Sequence, residues 1–149
     1  MLLGGLIRFG VAKRFAEDCI KRFDVRCGGA NSEAKSLSGG NLQKFIVGRE
    51  IMQDPKVLVL AQPTWGVDVG ASSFIRQSLL DLRESGTAVL VISEELEELF
   101  EICDRLVVIA KGTLSPSKAT TETGVEEIGI WMSGMWPDAE KSGEAPHVA

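Results

Sequence analysis

The sequence lacks any run of about 18 apolar residues, the length that a helix needs to cross a bilayer, so we predict no membrane-spanning segment. It also lacks a basic excess. Its 16 Lys and Arg are scattered and stand against 21 Asp and Glu, for a formal net charge of -5. That balance gives no electrostatic reason to bind nucleic acid, so nucleic acid is not among the predicted partners.

Cysteine and histidine are scarce as well. Cys19, Cys27 and Cys103 are odd in number and lack C-x-x-C spacing. We interpret them as reduced thiols rather than as a disulfide framework or a metal site. The only histidine, His147, lies in the C-terminal tail and receives no role. No metal-ligating residues are predicted.

What the chain does contain is an alternation of strand and helix patterns, within 149 residues that suit one globular domain. Residues 57–61 and 88–92 are apolar at every position, as in strands buried on both faces of a parallel sheet. Apolar spacing predicts helices over residues 11–23, 39–52, 70–84 and 95–103, and a third strand over residues 105–110. This order predicts an α/β fold with a parallel sheet flanked by helices.

The C-terminal region is predicted to hold a last helix. Residues 115–121 form a polar linker, and Thr123 with Glu126 has the spacing of a capping box that starts a helix. Helical spacing favours packing of Trp131 and Trp136 on the chain's own core, and the alternative is docking on a neighbouring subunit. From residue 137 onward the sequence is small, polar and charged, so we predict disorder there.

A glycine-containing stretch ahead of a predicted helix is the clearest candidate site. Residues 37–44 read LSGGNLQK, so Ser38, Gly39 and Gly40 stand at the helix start. Such a start presents about four N–H groups without intrahelical partners and about half a positive charge. Glycines lack the Cβ atoms that would hold a large anion away. The stretch is predicted to bind phosphate, and the alternative is an N-cap with a flexible turn.

This string resembles the signature motif of ATP-binding cassette (ABC) transporter ATPases. Residues 57–68 read VLVLAQPTWGVD and resemble the family's strand with its Asp-Glu-Pro-Thr end and the D-loop turn after it. Residues 101–109 read EICDRLVVI and resemble the family's Asp-Arg strand. The resemblance extends over about residues 11–136.

The resemblance implies the C-terminal half of a P-loop NTPase (RecA-like) cassette. It divides the chain into the end of the helical signature subdomain at residues 1–53, the C-terminal part of the ATPase core at 54–136, and a tail at 137–149. Trp65 stands where the family usually has a small or basic residue. We expect Trp65 to cover its own turn, and the alternative is packing on a partner.

Three positions depart from the family's catalytic pattern. Ala61 stands where the family has its magnesium-associated Asp, and a methyl group cannot coordinate a metal. Gln62 stands at the general-base Glu position, and an amide cannot take a proton from water. Glu94 stands at the switch-His position, where a carboxylate repels a γ-phosphate. We interpret the three as a degenerate half-site; the alternative is three ordinary surface substitutions.

The family's P-loop is absent. Its nearest match is residues 29–36, GANSEAKS, with Ala34 in the second Gly position. A working P-loop follows a buried strand and opens a helix, whereas this segment follows a predicted helix. A small P-loop kinase that uses Lys35 is therefore the weaker reading, and we expect no ATPase activity from the chain alone.

Residues 61–71 and the closing EEIGIWMSG at 126–134 resemble the second cassette of tandem sugar- and nucleoside-type importers. This implies an ATP-binding importer subunit that shares ATP and Mg²⁺ with a second ATP-binding cassette. It would dock on membrane permease subunits, peripherally at the cytoplasmic face of the inner (plasma) membrane. The residues implied to contact the partner's ATP are Ser38, Gly39, Gly40, Asn41 and Gln43, with Asp68 reaching across as the D-loop. The rival hypothesis is a non-catalytic, truncated α/β remnant or interaction module.

Overall fold

The computed structural model describes residues 2–3 and 6–137, with the backbone alone for residues 2–7. The predicted disorder beyond residue 137 lies outside the described residues. The chain forms two compact units, of which one ends at Glu94 and the other begins at Glu95. The division at residues 53 and 54 concerns the family's subdomains and stays a prediction. No helix among the described residues has the length and apolarity needed to cross a membrane.

The first unit holds a hairpin, three helices and a strand pair. Its elements are β1 (Leu2–Leu3), β2 (Leu6–Ile7), α1 (Phe9–Arg22), α2 (Gly39–Ile51), β3 (Val57–Ala61), α3 (Val69–Glu84) and β4 (Ala88–Ile92). The β1–β2 hairpin is antiparallel and was not predicted. The helix and strand predictions for this unit are confirmed to within two residues at each end.

The C-terminal ends of α2 and α3 lie where the sequence signals predict them. Pro55 disfavours helix at Asp54, and α2 ends before it, with Asp54 at a φ of 52°. Gly86 follows α3 with a φ of 96°, the left-handed stop that its glycine predicts. α1 packs on α2, and a Cβ built at Gly48 would lie 2.5 Å from the Phe23 ring. Only glycine therefore permits this approach.

β3 and β4 run parallel, with Val57 opposite Ala88 and Ala61 opposite Ile92. The prediction that β3 and β4 are buried on both faces is wrong for both strands, since Leu90 and Ile92 of β4 are also exposed. Leu58 is buried, whereas Val57 and Val59 are exposed on the opposite face. The reason is that α3 packs against β4, while no described element covers the second face.

The second unit consists of short elements around a small core. They are α4 (Leu96–Ile102), β5 (Arg105–Leu106), β6 (Ile109–Ala110), β7 (Thr113–Leu114), β8 (Lys118–Ala119) and α5 (Val125–Met132). The predicted third strand is split, because the backbone of Val108 bonds to Ser115: the Val108 N–H donates to Ser115 Oγ at 2.9 Å. β5 pairs with β8 and β6 with β7, both antiparallel. The predicted linker therefore contains a strand.

The start of α5 differs from its prediction. Gly124 is the N-cap residue and no side chain caps the helix, so the capping box is wrong. Thr123 instead donates its hydroxyl to Glu127 at 2.6 Å, and Lys118 donates to the same carboxylate. Lys118 and then Thr123 lower the pKa of Glu127 through these hydrogen bonds.

The tryptophan prediction for this unit is confirmed. Trp131 and Trp136 are buried in one cluster with Leu106, Val108 and Ile128, so both rings stabilise the chain's own core.

All three cysteines are free thiols. Burial raises the pKa of Cys19, and the positive charge of Arg49 opposes the shift. Cys19 therefore behaves as a small apolar core residue with little thiolate character.

Candidate phosphate-binding site

The site begins at the exposed N-terminal tip of α2. Ser38 is the N-cap residue with an extended backbone, and Ser38 and Gly39 are exposed. The first intrahelical bond runs from Leu42 N to Ser38 O at 2.9 Å. The N–H groups of residues 39–41 precede this bond, so the helix itself does not satisfy them. Together with the dipole of a 13-residue helix, they favour an anion at the tip.

The Ser38 side chain does not cap α2. Its Oγ accepts a hydrogen bond from Asn41 Nδ2 at 2.8 Å, and Asn41 Oδ1 accepts from the Arg26 N–H at 2.7 Å. Asn41 therefore orients the serine and ties the tip to the preceding loop. Because Ser38 Oγ is the acceptor in this bond, the hydroxyl hydrogen is not used in it.

The glycines of the tip also pack on the chain itself. Gly40 is buried, and a Cβ built there would lie 3.1 Å from both the Ala71 Cβ and Asp68 Oδ2. A Cβ at Gly39 would lie 3.3 Å from the carbonyl oxygen of Gly66. The tip thus lies directly against the turn before α3. The sequence analysis explained these glycines only by the approach of an anion and did not predict this contact.

Asp68 has a clear structural role at this contact. It is the N-cap residue of α3, and its Oδ1 accepts from the Ala71 N–H at 2.9 Å. An Asp directly before a helical pattern is the sequence signal for such a cap. Asp68 is the residue predicted to reach across an interface, and one of its carboxylate oxygens therefore accepts a hydrogen bond within its own chain.

Gln43 connects α2 to the loop that follows β3. Its Nε2 donates to the Pro63 carbonyl at 2.9 Å, and the Pro63 side chain is fully buried. The structure therefore brings the signature helix and the end of β3 together, and Gln43 makes the connection.

The second set of predicted residues lies at the carboxyl edge of the β3–β4 pair. Ala61 ends β3 opposite Ile92, and the Gln62 N–H donates to the Ile92 carbonyl at 2.8 Å. Ser93 Oγ donates to Gln62 Oε1 at 3.3 Å. Glu94, two positions beyond β4, is exposed. This is the edge at which open α/β sheets bind ligands.

Gln62 has an unusual backbone, with a φ of 51°. Left-handed backbone in a residue other than glycine costs about 1–3 kcal/mol and concentrates at functional sites. The candidate role of Gln62 follows from its position in the sequence, whereas this backbone geometry has no sequence signal. Ser93, which holds the Gln62 amide, was missing from the predicted site; its signal is a polar residue directly after an apolar strand.

The strand end does not fit a magnesium ion. Ala61 presents a methyl group, and the Gln62 amide oxygen already accepts from Ser93. In the part of the chain that the structure describes, no group of three or more His, Cys, Asp or Glu could hold a metal ion. The residues present therefore lack the carboxylate that would position Mg²⁺ here.

The geometry around Lys35 is not that of a P-loop. Residues 34–36 form a 3₁₀ turn rather than the start of an α-helix, and the segment follows α1 rather than a strand. Lys35 Nζ lies 2.7 Å from Glu33 Oε2 in an exposed ion pair. This arrangement gives no support to a kinase site at Lys35.

Trp65 lies in the turn between β3 and α3, and 78% of it is exposed. The expectation that it covers its own turn is wrong. Gly66, at a φ of 70°, follows it, and the Gly66 carbonyl faces Gly39. A large aromatic side chain is therefore open to solvent one residue from the contact with the tip.

Comparison with curated proteins finds close relatives. The chain is 42% identical over 130 residues to the guanosine import ATP-binding protein NupO of Bacillus subtilis, covering 87% of this chain and 26% of that protein. It is 40% identical over 136 residues to a ribose import ATP-binding protein of Rhizobium meliloti, covering 91% and 27%. The nucleoside import ATP-binding protein NupA of Lactococcus lactis is 42% identical over 130 residues. The chain thus spans about a quarter of the length of these relatives.

Comparison with solved structures agrees on the fold. The ADP conformation of MJ1267, an ATP-binding cassette of an ABC transporter, superposes with a TM-score of 0.60 at 26% identity, covering 88% of this chain and 50% of that one. The dimeric cassette MJ0796, bound to ADP and phosphate, gives 0.66 at 23% identity, covering 79% and 51%. No family model matches the chain.

Proposed function

We propose that this chain is part of the ATP-binding subunit of an importer for sugars or nucleosides. The premise is that the chain belongs to the ABC-transporter ATP-binding family, whose members it matches over about 87% of its length. The relatives named above import guanosine, ribose and nucleosides, and this substrate class is carried over to the chain. In the proposal, the tip of α2 binds the γ-phosphate of an ATP molecule held by a partner cassette.

The observation that carries the proposal is the exposure of Ser38 and Gly39 at the start of a 13-residue helix. A phosphate approaching from outside the chain can meet the Ser38 hydroxyl and the first N–H groups of α2. Each charge-assisted hydrogen bond of this kind contributes about 1.5–3 kcal/mol. Asn41 holds Ser38 through its side-chain amide, so its proposed role is to orient the serine.

The residues behind the tip fix its position. Gln43 links α2 to the Pro63 carbonyl, and Asp68 holds the start of α3 against Gly40. In the assembled importer, the turn at Asp68 faces the partner cassette together with the tip. A nucleotide bound to the partner would therefore affect both the tip of α2 and the turn at Asp68, because these two elements are in direct contact.

The chain's own half-site does not hydrolyse ATP in this proposal. Gln62 can orient a water molecule but cannot take its proton, and a positioned base is worth about 10²–10⁴-fold in rate. Ala61 supplies no ligand for Mg²⁺, and Glu94 places a negative charge where a phosphate would lie. ATP with Mg²⁺ would therefore be held from the partner's side, where the metal would supply positive charge against the phosphates.

The proposed setting follows from the importer assignment. The chain acts with a second ATP-binding cassette and with membrane permease subunits, at the cytoplasmic face of the inner (plasma) membrane. Its own role is to complete the partner's nucleotide site, and substrate choice lies in other subunits.

Replacement of Ser38 by Arg in the assembled importer tests the proposal. A guanidinium at the tip fills the space of the γ-phosphate, so we expect ATP turnover to be abolished. Ser133→Arg is the matched control, because Ser133 is an exposed serine in the second unit, and it should leave turnover unchanged. Turnover that survives Ser38→Arg would remove the tip from the mechanism.

The second candidate is a non-catalytic interaction module, and the lack of a carboxylate at both Ala61 and Gln62 favours it. Such a module would bind its partner without any effect of nucleotide on turnover. Measured ATP hydrolysis by the wild-type assembly, lost in the Ser38→Arg variant, decides for the importer subunit. An assembly that forms but never hydrolyses ATP decides for the module.

A further inference from the structure

We propose that Lys44 is a positioning residue for the phosphate-binding tip of α2. Lys44 fixes the turn of the chain at Asp24, two residues before Arg26. The Arg26 N–H then stays on Asn41, and Asn41 in turn holds the Ser38 hydroxyl. The inference rests on the proposed function, because it concerns how the same tip is held in place for a partner's nucleotide.

The ammonium group of Lys44 is held inside the first unit. The Lys44 side chain is only 14% exposed, and its Nζ lies 3.6 Å from Asp24 Oδ2. The same Nζ donates to the Asp24 carbonyl at 3.4 Å and lies 4.8 Å from the centre of the Phe74 ring, a cation–π distance. An ammonium group leaves water only where such partners replace its hydration, so this side chain has one defined place.

Asp24 needs this support because its backbone is left-handed, with a φ of 47°. It follows α1 at the position where glycine usually ends a helix, and the Val25 N–H donates back to the Ile20 carbonyl at 3.0 Å. A residue with a side chain costs free energy in this conformation. Lys44 binds one backbone and one side-chain oxygen of Asp24, so it stabilises the turn at its least favourable residue.

The turn at Asp24 leads directly to the residue that anchors the tip. The Arg26 N–H donates to Asn41 Oδ1 at 2.7 Å, and Asn41 Nδ2 donates to Ser38 Oγ at 2.8 Å. Asn41 and Lys44 are three positions apart, so they are neighbours on the surface of α2. α2 therefore holds the segment after α1 at two adjacent points. Loss of the Lys44 point frees the segment and, with it, the Asn41 amide.

The contact with Phe74 connects Lys44 to the second element of the site. Phe74 lies on α3, whose N-cap residue is Asp68. The Phe23 ring meets the Phe74 ring edge-on, with centroids 6.2 Å apart. Lys44 thus packs on the helix that begins beside the tip, and one side chain fixes the tip relative to both α1 and α3.

A double-mutant cycle in the assembled importer tests the proposal. Lys44→Met removes the charge and keeps an apolar stem, and Asn41→Ala removes the anchor of Ser38. We expect each single variant to lower ATP turnover about tenfold. Because Lys44 acts through Asn41, the double variant should lose no more than Asn41→Ala alone, as members of one network are not additive.

Lys44→Arg is the conservative variant. A guanidinium keeps the charge and can stack on the Phe74 ring, so turnover should stay within about twofold of wild type. Lys56→Met is the matched control, because Lys56 is an exposed lysine of the same unit. It should leave turnover unchanged.

Hydrogen exchange at the Arg26 amide gives a readout that does not depend on ATP. This N–H is bonded to Asn41, so Lys44→Met should speed its exchange while the amides of β3 and β4 keep their wild-type rates. Asp24→Gly covers the case in which Lys44→Met alone fails to fold. Glycine adopts left-handed backbone without strain, so in that background Lys44→Met should lower turnover only about threefold or less.

Additive losses in the cycle, no recovery in Lys44→Arg, or unchanged exchange at Arg26 would each overturn the proposal. A tenfold loss from Lys44→Met in the Asp24→Gly background would do the same. Additive losses with Ser38→Arg still abolishing turnover would leave the importer function standing. If Ser38→Arg instead leaves turnover intact, the proposed function fails, and exchange at Arg26 still decides whether Lys44 holds the tip.

Discussion

The tip of α2 and the carboxyl edge of the β3–β4 pair both hold residues proposed to lie near a nucleotide, but they differ in the chemical groups that they present. At the tip, Ser38 and Gly39 are exposed and unsubstituted relative to the motif they resemble. At the strand edge, Ala61 presents a methyl group, and Gln62, with its left-handed backbone, presents a neutral amide. This difference supports the proposal that the chain contacts a nucleotide held by a partner cassette.

The tip depends on close packing, and Gly40→Ala tests that dependence with the largest expected effect on stability. The new methyl group meets Ala71 and Asp68 at 3.1 Å, and overpacking of this kind costs about 1–3 kcal/mol. We expect the free energy of unfolding in urea to fall by that amount.

Gly10→Ala is the control for Gly40→Ala. Gly10 lies in α1 with nothing within 4 Å of its built Cβ, so alanine should stabilise the helix there by about 0.5–1 kcal/mol. Equal effects of both substitutions would show that helix propensity, not packing of the tip, controls the response.

Asp68→Ala removes the cap of α3 next to the tip. Loss of the bond from the Ala71 N–H to Asp68 Oδ1 should cost about 0.5–2 kcal/mol. Asp68→Asn keeps an acceptor and should recover most of the stability in thermal unfolding. If the two variants are equally destabilised, the charge and not the cap is what α3 needs.

Gln62→Ala tests the strand edge, the second of the two regions compared. Since the strand edge has no proposed part in hydrolysis, ATP turnover by the assembled importer should stay within about twofold of wild type, far below the effect of a lost base. A loss as large as that expected for Ser38→Arg would show that the edge is active and that the two regions do not differ.

The ion-pair network of the second unit gives the smallest expected effect. The lowered pKa of Glu127 means that its carboxylate stabilises the fold above its unfolded pKa, and that this contribution disappears as the pH falls through the lower, folded pKa. Lys118→Met should raise the pKa of Glu127 in an NMR titration without altering the tip. An unchanged pKa would show that Lys118 does not act on this carboxylate.

The elements with local signals were predictable. The bounds of β3 and β4 follow from uninterrupted apolar runs, and the stop of α2 follows from Pro55. The second unit was harder, because Ser115 and Thr123 carry local signals for a linker and a capping box, whereas in the structure Ser115 bonds to Val108 and Thr123 bonds to Glu127. Polar residues in short strands give little periodicity from which to predict pairing.

The candidate site was likewise only partly predictable from the sequence. The resemblance supplied Ser38, Gln62 and Asp68 as residues, but not the contacts that connect them. Gly40 packs on Asp68, 28 residues away, and Gln43 bonds to the Pro63 carbonyl, 20 residues away. Both contacts depend on α2 meeting the turn between β3 and α3. No local pattern encodes a contact at that separation.

By itself the sequence determined the helices and the two parallel strands, and it supplied the prediction that residues 38–40 bind phosphate, because each depends on neighbours a few positions away. Only the tertiary structure decided that the tip lies on the turn before α3, that Trp65 is exposed and that one sheet face is open. Those outcomes depend on which surfaces are close enough to exclude water, and that is a property of the packed chain rather than of any short segment.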